Sequence, residues 1–166
     1  GVGACFANRS VSSLQAKGIP GDVIESVIGA FDDPVDTLQR ALALSSVRKE
    51  PWFEPICAAS KRVENILKKA ATQAAVDPKL LAQDEEKALH KAFSAMEQPF
   101  LAHTSNGRYT EALKLLAGLK EPIDSFFDKV LVMSEDVAVR ENRVALLKGL
   151  VSLFDKVAKF SKISTQ

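Results

Sequence analysis

The sequence has only two cysteines, Cys5 and Cys57, two histidines, His90 and His103, and no initiator methionine. Two thiols are too few to staple a small secreted domain, so the chain reads as one from a reducing compartment. No apolar run approaches the roughly 18 residues of a membrane span, so no membrane association is expected. Neither a Cys-x-x-Cys pair nor a local histidine pair is present, which leaves no metal motif. No glycine-rich loop running into Gly-Lys-Ser or Gly-Lys-Thr is there to cradle a phosphate. Charge of one sign is also lacking. Against 21 Asp and Glu stand 22 Lys and Arg, leaving +1, so bulk charge does not announce a polyanion ligand. The first 18 residues hold no acid, are rich in Gly, Ser and Ala, and lack the apolar centre of a signal peptide. Residues 1–20 read as a linker or cloning remnant ahead of one domain over 21–166, and the chain as a piece of a longer one.

What is present is the mixture of an ordinary globular domain, 46% hydrophobic and 26% charged over 166 residues. A chain of this length buries roughly two-thirds of its unfolded surface. From Asp22 onward apolar residues recur at intervals of three and four. Asp22 is expected to cap a short helix carrying Val23, Val27 and Ile28. Asp33-Pro34 opens a second helix, with Val35, Leu38, Ala41 and Leu42 on one side. Pro51 opens a third, reaching about Ala75, whose stripe is Ile56, Ala59, Val63, Ile66, Leu67 and Ala70. A fourth is expected over about Leu80–Ala102, and His103–Gly107 makes a loop. The fifth covers Arg108 to about Leu119. After an interruption at Glu121-Pro122, a sixth packs Ile123, Phe126, Phe127 and Val130 inward. The seventh and longest starts at Asp136 and passes Phe160. Val130–Met133 alone has a β-like pattern, and its helical flanks argue against a strand. The expectation is an all-α, single bundle of about six to seven helices.

No active site emerges. Cys57 reads as packing, and Asp32-Asp33 and Asp84-Glu85-Glu86 fall where helices start or stop, which capping explains. The charge is nevertheless uneven. Lys61, Arg62, Asn65, Lys68 and Lys69 crowd the polar side of the third helix, with Glu64 the one acid among them. Lys148, Lys156, Lys159 and Lys162 fall within about 120° on a continuous last helix. Residues 121–136 hold five acids and one lysine, and residues 140–162 six bases and two acids. A basic groove for a polyanion and a solvated bundle surface with the two halves paired both fit this field.

The run Arg108-Tyr109-Thr110-Glu111-Ala112-Leu113, then Leu116-Ala117-Gly118-Leu119 and Pro122-Ile123-Asp124-Ser125-Phe126-Phe127-Asp128-Lys129, followed by Val139-Arg140-Glu141-Asn142-Arg143-Val144, carries a resemblance. It resembles the C-terminal, DALR-like anticodon-binding domain of the bacterial-type glycyl-tRNA synthetase beta subunit. Ala59-Ser60-Lys61-Arg62-Val63-Glu64-Asn65-Ile66-Leu67 and Leu153-Phe154-Asp155-Lys156-Val157-Ala158 are similar to the same family. The likeness runs from about Asp22 to Ile163. Where Lys159 stands the family tends to have an acid, and a literal Asp-Ala-Leu-Arg is absent. Arginyl-tRNA synthetases carry a related domain, so that assignment and a helical protein-interaction module stay open.

The resemblance implies a non-catalytic module of a glycine–tRNA ligase, with tRNA-Gly and the synthetase alpha subunit, or an alpha-like region of a fused chain, as partners. It implies no cofactor in this segment, ATP and magnesium serving the holoenzyme, and a bacterial cytoplasmic or organellar setting. Unpaired anticodon bases are read by stacking and along their Watson–Crick edges, while lysines attract phosphate. Lys61, Arg62, Asn65, Lys69, Arg140, Asn142 and Arg143 have the matching donors and are the candidate tRNA-binding residues. For Arg140 and Arg143 the competing expectation is an ion pair with the acids of residues 121–136. Tyr109 is expected to bury its ring rather than stack a base.

Overall fold

A computed structural model describes residues 11–165. Seven α-helices follow residue 20, and among the described residues there is no strand. They are α1 (Gly21–Val27), α2 (Pro34–Val47), α3 (Phe53–Lys69), α4 (Asp84–Ser105), α5 (Tyr109–Leu115), α6 (Lys120–Lys129) and α7 (Val137–Phe154). Three 3-10 turns, Pro78–Leu80, Leu116–Leu119 and Phe160–Lys162, join or close them. Helices α4, α5 and α6 pack together, α2 lies on α5, and α3 rests against α7 and the Phe160–Lys162 turn. The α7 seam expected from spacing is the spine of the core, with Val144, Leu147, Val151 and Phe154 all buried. Phe53, Phe100, Phe126 and Phe160 fill the interior around it.

Side-chain caps account for three of the seven helix starts. Asp33 accepts hydrogen bonds from the Val35 and Asp36 amides, at 2.9 and 3.4 Å, with Pro34 at the first helical position. Asp136 accepts from the Val139 amide at 3.2 Å. At α4 a capping box joins Gln83 and Glu86, so the helix begins at Asp84 rather than Leu80. Glu121-Pro122 does not interrupt: Pro122 sits in the first turn of α6, where its missing N–H costs no bond.

Two helices are shorter than their periodicity suggests, for a tertiary reason. Helix α3 ends at Lys69, and residues 71–77 run without helix along α7. There the Lys148 ammonium donates to the Thr72 carbonyl at 2.9 Å, and Asn142 pairs with the Asp77 backbone. Those bonds satisfy groups that a continued helix would have paired internally. Helix α7 ends at Phe154, short of Phe160, and at 18 residues it is shorter than the 22 of α4. Beyond it the chain turns and is tied to the far side of the bundle. The Lys159 amide donates to the Ser26 carbonyl at 2.8 Å, and Arg40 donates to the carbonyls of Lys156 and Val157. The Arg40 guanidinium lies 3.4 Å from the Phe31 ring centroid and 4.3 Å from that of Tyr109. The Tyr109 ring is buried as expected, but its hydroxyl donates to Asp36.

Within the segment 1–20 read as a linker, residues 1–10 lie outside the described residues. Residues 11–16 are helical, with Leu14 and Ile19 buried in the common core. Val130–Met133 is an unpaired connection in which Val130 and Val132 point inward while Leu131 and Met133 are exposed.

Two expectations about stability and reactivity follow. Cys57 is buried on α3, and burial pushes its thiol up to about 12. A thiol-reactive probe should label it orders of magnitude more slowly in the native chain than in denaturant, because thiolate and access are both missing. Fast native labelling, followed by absorbance, would contradict the packing role. Asp22 is held by a two-bond Arg48 fork at 2.7 and 3.0 Å and by the Ser164 amide at 2.8 Å. Burial works against its charge, but these donors outweigh it and hold the carboxyl below its ordinary value. A depressed folded-state pKa contributes stability above the unfolded value, near 3.9, which is lost as pH falls through the folded one. Asp22→Asn should therefore cost about 1 kcal/mol at pH 7, with the gap to wild type closing below about pH 4. Urea denaturation at both pH values measures it.

Candidate nucleic-acid interface

Helix α3 carries the exposed basic face. By the 100° turn per residue, Lys61, Arg62, Asn65, Lys68 and Lys69 span about 120°. Arg62, Asn65, Lys68 and Lys69 are exposed and Lys61 is half-buried. The opposite face of the same helix delivers Phe53, Ile56, Cys57, Ser60 and Val63 to the core, so packing fixes which way the bases point. At one edge of this face Glu64 lies 4.0 Å from Lys159, which also pairs with Asp155 at 3.4 Å.

The other edge falls into a groove between α3 and α6 of about 370 Å³, lined by Pro55, Ala58, Ala59 and Arg62 on one side and Ile123, Asp124, Phe127 and Asp128 on the other. The Arg62 guanidinium sits over the Phe127 ring, 4.3 Å from its centroid. Phe127 meets Phe126 edge to face, with centroids 5.6 Å apart. Phe126 is fully buried, as its spacing implies, but Phe127 is only half-buried, so the expectation that both are core holds for one of them. Phe127 lies on the polar rim of the apolar arc of α6, beside Asp124 and Asp128. That rim position was its one sequence signal.

The remaining candidates divide. Asn142 is 3% exposed, receives the Asp77 amide at 2.7 Å and donates to the Asp77 carbonyl at 3.1 Å. Its amide is spent on holding residues 71–77 against α7, which corrects the expectation that it contacts RNA. Arg143 is 6% exposed and is likewise withdrawn. Its Nε and Nη2 donate to Glu86 at 2.8 and 3.3 Å, Nη2 also reaches Gln83 Oε1 at 3.2 Å, and Nη1 donates to the Leu131 carbonyl at 2.6 Å. Glu86 itself is completely buried and also accepts from the Ala82 and Gln83 amides at 3.0 and 2.7 Å. The partner of Arg143 is thus the α4 capping residue, neither RNA nor an acid of residues 121–136. Arg140, one turn earlier, is half-buried and donates to the Ser134 carbonyl at 3.1 Å.

The basic arc expected on the last helix does not form. Lys148 is bound to Thr72, and Lys156, Lys159 and Lys162 lie beyond the end of α7. The structure therefore gathers Lys61, Arg62, Asn65 and Lys69 on one surface, with Lys68 and the Phe127 ring. It places Arg140 apart from them and removes Asn142 and Arg143. Such a surface offers ammonium groups for phosphate, an amide for base edges, and a guanidinium-on-aromatic plane.

Residues 56–165 match the model of the DALR anticodon binding domain family. The chain is 41% identical over 94% of its length to the glycine–tRNA ligase beta subunit of Syntrophotalea carbinolica. It is 42% identical over 97% to that of Magnetococcus marinus, and 41% over 91% to that of Ralstonia nicotianae. It covers 23%, 24% and 22% of those relatives, so the chain spans about a quarter of their length.

Proposed function

Because the chain belongs to the DALR anticodon binding domain family, we propose that it grips the anticodon arm of tRNA-Gly as part of a glycine–tRNA ligase beta subunit. The observation that carries this reading is the α3 face, where Lys61, Arg62, Asn65, Lys68 and Lys69 are held outward by the burial of the opposite stripe. The ammonium groups supply sequence-independent attraction to the phosphate backbone, and the Arg62 and Asn65 side chains reach unpaired bases. Glycine activation with ATP and magnesium belongs to the rest of the enzyme, with the alpha subunit or its fused equivalent as the catalytic partner. The glycine assignment is supported by the relatives, which are glycine–tRNA ligase beta subunits.

Capture of tRNA from a total RNA pool by the immobilised chain tests this. Glycine tRNAs should be enriched over all others. Enrichment of arginine tRNA would transfer the domain to the arginine enzyme, and absence of any tRNA enrichment from the folded chain would overturn the reading.

A further inference from the structure

We propose that the groove between α3 and α6 is a single-base pocket: Phe127 and Arg62 form a stacked platform for one flipped-out nucleobase, and Asp124 and Asp128 select a base bearing an amino group over uracil. The inference rests on the anticodon-binding reading and assigns to it a base contact at the edge of the basic face, where Arg62 meets α6.

Three observations converge on it. The first is the stack itself. Arg62 is exposed, sits 4.3 Å over the ring of Phe127, and forms no ion pair among the described residues. A guanidinium held over an aromatic ring offers a further planar group a place to stack, and unpaired RNA bases take such positions. The second is the rigidity below. Phe127 rests edge to face on the fully buried Phe126, and Ile123 anchors the same turn in the core. The Phe127 ring is therefore held in place before a base arrives, which reduces the ordering cost of binding.

The third observation is the charge of the rim. Asp124 and Asp128 are exposed at the groove, Asp124 being steadied by Lys120 at 2.9 Å. Carboxylates repel phosphate, so a groove meant only for backbone would not be lined with two of them. Carboxylates do accept hydrogen bonds from amino groups such as N4 of cytosine. Uracil has no amino group and offers a carboxylate only its N3–H, flanked by two carbonyl oxygens of like polarity. The phosphates of the same strand lie on Lys61, Lys68 and Lys69, on the neighbouring part of the α3 face.

Fluorescence anisotropy with two hairpin RNAs of identical stem, one with a cytidine loop and one with a uridine loop, tests the assignment on the intact chain. Wild type should prefer the cytidine loop. Phe127→Leu, which keeps the apolar contact with Phe126, should weaken cytidine-loop binding about tenfold and leave the salt dependence unchanged, because stacking releases no counterion. Phe127→Ala should lose at least as much. Asp124→Asn with Asp128→Asn should shrink the preference for cytidine over uridine while strengthening overall binding. If Phe127→Leu stays within twofold of wild type, or wild type binds both loops equally, the pocket is not where the base goes. Lys61→Ala and Lys69→Ala serve as the separate arm. If they weaken binding while Phe127→Leu does not, the basic face stands and the pocket falls. If neither set has any effect, the anticodon-binding reading itself falls.

Discussion

Arg143→Ala is expected to destabilise the domain by about 3–5 kcal/mol, the cost of stranding a buried carboxylate. Glu86 has no access to solvent, and Arg143 supplies two of the four hydrogen bonds its carboxylate accepts. With the guanidinium gone, that carboxylate must be protonated, hydrated by local opening, or left uncompensated. The Leu131 carbonyl loses its donor as well. For a domain of this size the loss corresponds to a fall in melting temperature of roughly 10 °C. Glu86→Ala should cost as much by the converse route, leaving a buried guanidinium and two uncapped amides. Arg143→Lys retains the charge but not the fork, and should fall between. Joint replacement, Glu86→Leu with Arg143→Met, should cost far less than the sum of the single changes, since no charge remains buried. Urea denaturation of these variants, with Glu86→Leu and Arg143→Met as the matching single changes, measures the cycle. Affinity for tRNA per folded molecule should stay within twofold of wild type. A variant that melts normally but loses tRNA would place Arg143 at the interface after all.

The second large effect is on binding alone. The triple variant Lys61→Ala, Arg62→Ala, Lys69→Ala should bind tRNA about 30- to 100-fold more weakly near physiological salt. The slope of log affinity against log salt should become shallower by about 2, because each cation removed releases roughly 0.7 fewer counterions from single-stranded RNA. All three side chains point away from the core stripe of α3, so the melting temperature should hardly change. Removing the same charge from α4 through Lys87→Ala, Lys91→Ala and from α5 through Lys114→Ala controls for net charge, since these exposed lysines lie off the face. If the control set weakens binding as much as the α3 set, the attraction is to the whole molecule and the face has no special role.

The sequence alone determined the helical class and the places where most helices begin. Asp33-Pro34 and Asp136 cap as their spacing predicts, and Val144, Leu147, Val151 and Phe154 are buried along the expected seam. Periodicity reports which face of a helix is apolar, and that information is local. It also set the outward direction of the α3 bases, because the buried stripe and the basic face lie on one continuous helix. It could not say where a helix stops once another segment offers better hydrogen bonds. Residues 71–77 satisfy α7 instead of extending α3, and the chain after Phe154 turns to meet Ser26 and Arg40.

Nor could it sort one polar residue from the next. Arg140, Asn142 and Arg143 are neighbours in sequence and alike in chemistry, yet their roles differ. The reason is the phase of α7 against its surroundings, which turns 142 toward Asp77 and 143 toward Glu86, a partner 57 residues away. Phe127 was decided in the same way. Its place at the rim of α6 is local, but the arginine that lies over it comes from α3, and only the packing of those two helices brings the pair together.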